Sequence, residues 1–245
     1  MKSLKKQRNK PFYKQFLTIR RNIQNRIKIF KFKKQKWKSL QKVSLRQLKF
    51  FKRYRIKDQF SIISIKFASR GNSYQKKFRN NLRNRKSFNL FYGGLKKNYL
   101  KKHINKIKKK PNKKLKFQNY NQNIIKFFES RLDTILYRAK FSFSIKNARQ
   151  LILHGHILVN KRTVKICSYI VKYNDIIEVA KNSKSRLLVK QYLDWSNFWP
   201  IPPSYLLINY NTLQIIIGIS NKLQFRPEFS HFLNINSIIS NINKY

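Results

Sequence analysis

Apolar residues recur at steps of three and four at Phe16, Ile19, Ile23, Ile27 and Phe30, with Arg20, Arg21, Arg26 and Lys28 between them. This spacing predicts a basic amphipathic helix. A second helix is predicted from Trp37 through Leu40 and Leu48 to Phe51, and a third from Leu95 through Tyr99, Leu100 and Ile104 to Ile107. Gly71-Asn72-Ser73 and Gly93-Gly94 break the pattern, and the stretch from Lys108 to Lys116, interrupted by Pro111, reads as an exposed basic linker. Further along, Ile125, Phe128, Leu132, Ile135, Leu136 and Ala139 fall on one helical face, with Arg131 and Arg138 exposed beside it. Ser144 can cap a following helix that turns Ala148, Leu151 and Ile152 inward, and Gly155 can end that helix in the left-handed conformation. After His156 the period changes. Ile157 and Val159, Val164 and Ile166, then Ile176 and Ile177 with Val179 alternate like short half-buried strands, with turns at Asn160-Lys161 and Tyr173-Asn174-Asp175.

The predicted fold class is therefore α+β. A basic, mainly helical region with an extended N-terminus covers 1–128. A module of two helices followed by a short, mainly antiparallel sheet covers 129–181. A C-terminal extension over 182–245 is expected to pack on the body of the protein or on neighbouring components.

Charge sharpens this division. The chain carries 58 Lys+Arg against 7 Asp+Glu, a formal net charge of +51, far from the mixed-sign balance of an ordinary soluble enzyme. Residues 1–128 hold 42 of the cations and a single acid, Asp58. One net charge per about three residues is roughly 10 Å of extended chain, comparable to the Debye length, so self-repulsion there is only partly screened. Such a segment orders when phosphates neutralise it. The partner implied is a polyanion. The helix from Phe16 to Phe30 has a second reading, an anionic membrane surface, but nucleic acid accounts for the whole excess. A hydrophobic fraction of 41% with 15% aromatic residues is too apolar for a purely disordered tail.

The same composition excludes several classes. One Cys rules out an internal disulfide framework and any zinc site of several Cys ligands. The longest apolar run, Leu213 to Ile219 with Gln214 inside it, is far short of the about 20 residues of a spanning helix. The basic N-terminus continues unchanged to Asp58 without an apolar core or cleavage signal, so no removable presequence is expected. Lys, Ile, Asn, Phe and Tyr make up 130 of 245 residues while Ala is only 4, the bias of an AT-rich gene, which suits an organelle genome.

Candidate chemistry is sparse. Asp133 sits where it can pair with Arg131 or Arg138, and Glu178 lies on a terminal strand. Neither has an acid-base partner, and both read as structural. His154 and His156 flank Gly155 with no further ligands nearby, so RNA hydrogen bonding or packing at the helix-to-strand corner is expected rather than a metal. Ser144 reads as a helix cap whose helix N-terminus also attracts phosphate. Trp37, Phe51, Tyr54, Phe91, Tyr92, Trp195 and Trp199 read mostly as packing residues, with base stacking as the alternative. Arg131, Arg138, Lys146 and Arg149 can share one face of the two module helices, where the arginine fork suits phosphate oxygens.

Arg131-Leu132-Asp133, Arg138, Ala148-Arg149-Gln150-Leu151-Ile152, His154-Gly155-His156-Ile157-Leu158-Val159-Asn160, Ser168-Tyr169 and Asp175-Ile176-Ile177-Glu178-Val179 stand in order along the chain. Together they resemble the core of the small-subunit ribosomal protein S4 (universal uS4) family, over roughly 129–181. Phe91-Tyr92-Gly93-Gly94-Leu95, Trp199-Pro200 and Ser204 to Leu213 extend the resemblance, the last two toward organellar members of mitochondrial type. Three positions depart from the family pattern. Lys161 replaces the Gly of an Asn-Gly turn at a cost of about 1 kcal/mol, Cys167 replaces Pro, and Asn174 replaces Gly. The N-terminal Cys cluster of zinc-binding members is missing.

The resemblance implies a structural, non-enzymatic constituent of the small ribosomal subunit that binds and organises small-subunit rRNA early in assembly near the mRNA entrance channel. The implied partners are that rRNA, neighbouring small-subunit ribosomal proteins and mRNA. No membrane, small-molecule substrate, cofactor or metal is expected. The implied compartment is the mitochondrial matrix, with a plastid as the alternative. An RNA-modifying enzyme or a free assembly factor carrying the same module is the competing reading, but only 64 residues follow position 181 and no Gly-rich nucleotide loop precedes the module. The candidate RNA contacts of the module are Arg131, Arg138, Lys140, Ser144, Lys146, Arg149, Gln150, His154, His156, Lys161, Arg162 and Lys165. Those of the basic region are Arg53, Arg55, Arg83, Arg85, Lys96, Lys97 and Lys101.

Overall fold

The computed structural model describes residues 12–20, 23, 27–54, 74–95, 97–109, 117–194, 203 and 205–218. They belong to two compact units that divide between Gly94 and Leu95. The charge boundary at 128 and this packing boundary differ, because helices counted with the basic part pack within the second unit.

In the first unit, helix α1 (Phe12–Ile19) is followed by a 3-10 helix (Ile27–Lys31), then by α2 (Gln35–Tyr54) and α3 (Tyr74–Phe91). The single helix predicted from Phe16 to Phe30 is thus corrected. Arg20 adopts φ +57°, a conformation costly for a side-chain-bearing residue, and ends α1. Of the periodic residues Phe16, Ile19 and Ile23 are buried, whereas Phe30 is exposed and Ile29, outside the pattern, is buried beside it. The Nε2 of Gln41 on α2 donates to the carbonyls of Ile29 at 2.9 Å and Phe32 at 3.1 Å, holding the short 3-10 turn against α2. Trp37 and Leu40 are buried as predicted, with Trp37 against Phe32 at a ring-centroid distance of 4.6 Å.

Helix α3 carries no continuous apolar stripe, so its period was not legible. Its burial is concentrated at the C-terminal end, where Phe88, Leu90 and Phe91 are buried and Tyr92 packs edge-on against Phe88 and Phe91 at 4.9 and 5.0 Å. Gly93 and Gly94 then take φ +73° and +75°, the left-handed conformation that ends a helix and favours glycine. The predicted break at Gly71-Asn72-Ser73 lies outside the described residues; of the linker predicted from Lys108 to Lys116, Lys108 and Lys109 are instead the last residues of a helix that runs from Lys97 to Lys109, and 110–116 lie outside the described residues.

The second unit opens with α4 (Lys97–Lys109) and α5 (Phe117–Glu129) and continues through α6 (Leu132–Arg138) and α7 (Ile145–Leu153). The one helix expected through residues 125–139 is in fact two. At the joint, the Ser130 hydroxyl donates back to the Lys126 carbonyl at 2.7 Å, and Arg131 is extended at φ −73° and ψ 137°. The Val171 amide donates to the Ser130 carbonyl and the Leu132 amide to the Tyr169 carbonyl, each at 2.9 Å. A pairing with residues 169–171 therefore replaces the helical bonds at this point. Periodicity could not show it, because both helices bury an apolar face, Ile124 and Phe128 on α5 and Leu132, Ile135 and Leu136 on α6.

Strands β1 (Ile157–Val159), β2 (Arg162–Thr163), β3 (Ile176–Val179), β4 (Leu206–Asn209) and β5 (Gln214–Ile217) form one antiparallel sheet in the order β2-β1-β3-β5-β4. Helix α8 (Ser183–Asp194) lies between β3 and β4 in the chain. The inner face of the sheet presents Ile157, Val159, Ile177, Val179, Ile215 and Ile217 to Leu132, Ile135, Leu136, Ala148, Leu151 and Ile152 of α6 and α7, all buried. Each fully buried aliphatic side chain contributes about 1.5–3 kcal/mol, so this layer is the unit's main source of stability. The strand predicted over Val164 and Ile166 is corrected: β2 has only two residues, and Ile166 is exposed because the chain turns away through the Tyr169 amide bond to its carbonyl.

Asn160 and Lys161 take φ +50° and +65°, so the hairpin keeps its two-residue left-handed turn despite the lysine, and the strain is retained rather than relieved. The β4–β5 hairpin was not predicted. Its turn has no glycine. Leu213 takes φ +58°, and the Asn209 side-chain oxygen accepts from the Asn211 and Thr212 amides at 3.0 and 3.2 Å.

Candidate nucleic-acid interface

Two of the module's carboxylates, Asp133 and Glu129, are tied to its arginines. Asp133, fully buried, accepts at Oδ1 from Arg131 Nε at 3.0 Å and at Oδ2 from both Arg131 Nη2 and Arg149 Nε at 2.8 Å. Glu129, also fully buried, accepts from Arg138 Nε and Nη2 at 3.0 and 3.1 Å and from the Tyr205 hydroxyl at 2.8 Å. The first cluster joins α6 to α7. The second joins the ends of α5 and α6 to the segment entering β4.

Burial opposes the charge on Arg131, but the hydrogen bonds and field of Asp133, with Tyr99, outweigh it and raise its pKa. Tyr205 is pushed well above the ordinary tyrosine value by burial and then by the neighbouring Glu129 charge, so its hydroxyl stays a donor. Breaking such a pair strands a buried charge at a cost of about 3–5 kcal/mol. These are anchors inside the fold.

Arg131 and Arg138 were expected on an exposed face, and that placement is corrected. Arg131 is only 3% exposed, with Nη1 donating to the Tyr99 hydroxyl at 2.6 Å. The Arg138 side chain is 11% exposed and that of Arg149 23%. A phosphate could reach Arg131 only by displacing Asp133 or Tyr99. Sequence reasoning missed Glu129 altogether, because the helix break at Ser130 hides the geometry that brings residue 129 to residue 138. For Arg131, the neighbouring Asp133 was the available signal.

The exposed cations lie elsewhere. Ser144 caps α7 by accepting from the Asn147 amide at 3.2 Å, and beyond it Lys146, Gln150 and His154 follow at steps of four along one exposed stripe. Gly155, at φ +74°, closes the helix against the β2 side of the hairpin. A β-carbon there would meet Thr163 Cγ2 at 3.4 Å and Lys165 Cε at 3.8 Å. This close approach brings the α7 stripe beside Lys165. Lys161 and Arg162 at the hairpin tip are exposed too, whereas Lys140 is half-buried, at φ +65° after α6. His156 is half-buried with Nδ1 2.7 Å from the Ser185 hydroxyl, a packing role at the corner.

On α4, Lys101 is exposed together with Lys102 and Lys106, which were not singled out. Between them and α5, His103 lies against Tyr99 at 4.3 Å and stacks on Phe127 at 4.6 Å. Its pKa is lowered by burial and then by Lys106, Lys102 and Arg131. In the first unit, Arg83 is exposed on α3 in register with Arg79 and Lys86, while Arg85 is half-buried. Arg53 and Lys97 fall in α2 and α4, but their side chains, like Arg55 and Lys96, lie outside the described residues.

Among the described residues, no group of three or more His, Cys, Asp or Glu side chains is placed to hold a metal, and no helix is long and apolar enough to cross a membrane.

Comparison with known proteins matches residues 130–177 to the S4 domain. Small ribosomal subunit protein uS4 of Kosmotoga olearia is 40% identical over 116 residues, covering 47% of this chain and 54% of that protein. Small ribosomal subunit protein uS4c of Gracilaria tenuistipitata var. liui is 42% identical over 95 residues, 39% of this chain and 47% of the relative. Small ribosomal subunit protein uS4 of Aquifex aeolicus is 33% identical over 113 residues, 46% and 51%. The chain spans about half the length of the curated relatives it matches.

Proposed function

We propose, from the S4 domain matched at residues 130–177 and the similarity of the sequence around it to small ribosomal subunit proteins uS4, that the chain is a member of the uS4 family and a structural, non-catalytic component of a small ribosomal subunit. It binds small-subunit rRNA and holds converging RNA helices in fixed relative orientation, entering early in assembly near the mRNA entrance channel and beside other small-subunit proteins. The observation that carries this reading is the separation of charge in the second unit. Asp133 and Glu129 are buried and consumed by arginines, while Lys146 in the first turn of α7 and Lys161, Arg162 and Lys165 on the hairpin that follows this helix stand exposed. Phosphates of two RNA strands meeting there would release counterions, lowering the repulsion that keeps them apart. Recognition rests on RNA shape, since the exposed Lys146, Lys161 and Lys165 offer flexible point charges.

The compartment we infer is an organelle that encodes the protein itself, a mitochondrion in our reading. The support is the amino-acid bias that an AT-rich gene produces, with Lys, Ile, Asn, Phe and Tyr making up 130 of 245 residues and Ala only 4.

Filter binding of the full chain to a small-subunit rRNA junction and to a plain duplex of equal length tests the function. Tighter binding to the junction, with affinity falling steeply as salt rises, supports it. Equal affinity for both RNAs would refute shape-directed rRNA recognition.

A further inference from the structure

The sheet has a second face, and its chemistry is opposite to that of the rest of the chain. In the antiparallel register Ile176 lies opposite Ile216, and Ile216 opposite Leu207, so these three aliphatic side chains form one row across β3, β5 and β4. They alternate with the buried Ile177, Ile215 and Ile217 and therefore point outward. Leu207 is 60% exposed and Ile176 39%. The next row places Leu158 opposite Glu178 and Glu178 opposite Gln214, with Gln214 Nε2 donating to Glu178 Oε1 at 2.9 Å. The polar ends of that row are Thr163 and Asn209.

Roughly one residue in four of this chain is Lys or Arg, yet none of these outward positions is. Nor does any carry an aromatic ring. RNA needs cations to meet its phosphates or rings to stack its bases, and here the one charged group is a carboxylate. Leaving aliphatic side chains beside a carboxylate on such a cationic molecule suits an occupant that brings apolar surface and a positive charge of its own.

We propose that this outer face, centred on Ile176, Ile216 and Leu207, docks a neighbouring protein of the small subunit, which lays aliphatic side chains on the row and a Lys or Arg against Glu178. The proposal rests on the ribosomal reading above. It assigns the two sides of the second unit different partners, RNA at the α7–hairpin corner and protein on the sheet.

The test uses full-length chain assembled into small subunits, with the photoreactive residue p-benzoylphenylalanine placed at Leu207 in one preparation and at Lys146 in another. Irradiation is expected to join the Leu207 probe to a small-subunit protein in a ribonuclease-resistant adduct, and the Lys146 probe to rRNA. Glu178→Lys should lower the Leu207 adduct at least fivefold while the chain still sediments with the subunit. A Leu207 adduct to rRNA overturns the proposal, as does its absence in particles where the Lys146 probe labels rRNA. If neither probe labels anything because the chain does not enter the subunit, the ribosomal reading has failed first and this one falls with it.

Discussion

The Nε of Arg149 on α7 donates to Oδ2 of Asp133 on α6 at 2.8 Å, across a sequence separation of 16 residues. That bond and the Arg131 pair on the same carboxylate fix how the two helices lie together, and with them the direction of the exposed stripe on α7. An arginine that sequence alone assigns to RNA thus serves the geometry that holds the exposed Lys146 of α7 in place.

Asp133→Asn should therefore destabilise the second unit by about 3–5 kcal/mol, since two guanidiniums lose a buried carboxylate. Arg149→Ala should cost less, because Arg131 still pairs with Asp133. Urea unfolding of the full-length chain, followed by circular dichroism, measures both. An Asp133→Asn midpoint equal to wild type would show that the cluster anchors nothing.

Much of the second unit was legible because its signals are local. Ser144 is a good cap by side chain, Gly155 follows α7 at positive φ, and Ile157, Val159, Ile177 and Val179 alternate in and out. What stayed hidden depends on residues distant in sequence. The break at Ser130 is imposed by residues 169–171, and the Glu129–Arg138–Tyr205 cluster joins residues separated by up to 76 positions. The exposure of Arg131 could not be read from a helical wheel because Arg131 is not helical.

Tyr205→Phe removes the hydroxyl that donates to Glu129 while leaving the ring in place. A hydrogen bond to a charged group contributes about 1.5–3 kcal/mol, and a loss of that size is expected in the same urea titration. RNA affinity under conditions where both proteins are folded should not change.

Exposed cations should separate from buried ones in their salt dependence. Lys146→Ala and Lys165→Ala should each reduce the slope of log affinity against log salt by about 0.7–0.9 for every phosphate no longer neutralised, with the unfolding midpoint unmoved. Arg131→Ala should do the reverse, shifting the midpoint and leaving the slope of the folded fraction. Lys161→Gly is a sharper case. It relieves the φ +65° strain, which raises stability by about 1 kcal/mol, yet it weakens RNA binding. A Lys161→Gly protein that loses stability would contradict the turn geometry.

His103 couples the second unit to pH. Its folded-state pKa is lowered by burial and then by Lys106, Lys102 and Arg131, so the unfolded chain takes up its proton first. The contribution is present above the unfolded value of about 6.5 and is lost as pH falls from there through the lowered folded value. Thermal midpoints recorded between pH 7.5 and pH 5 should fall toward acid, and His103→Gln should flatten that fall. A His103→Gln profile parallel to wild type would remove this group from the linkage.

The central claim is that the chain is a resident RNA-organising component of a small ribosomal subunit. Sucrose-gradient sedimentation of subunits from the source organism at high magnesium, with the chain quantified in every fraction, tests it most directly. One copy per particle in the small-subunit peak, retained through a second gradient, is the predicted result. A chain confined to the light fractions while small subunits sediment intact would contradict it.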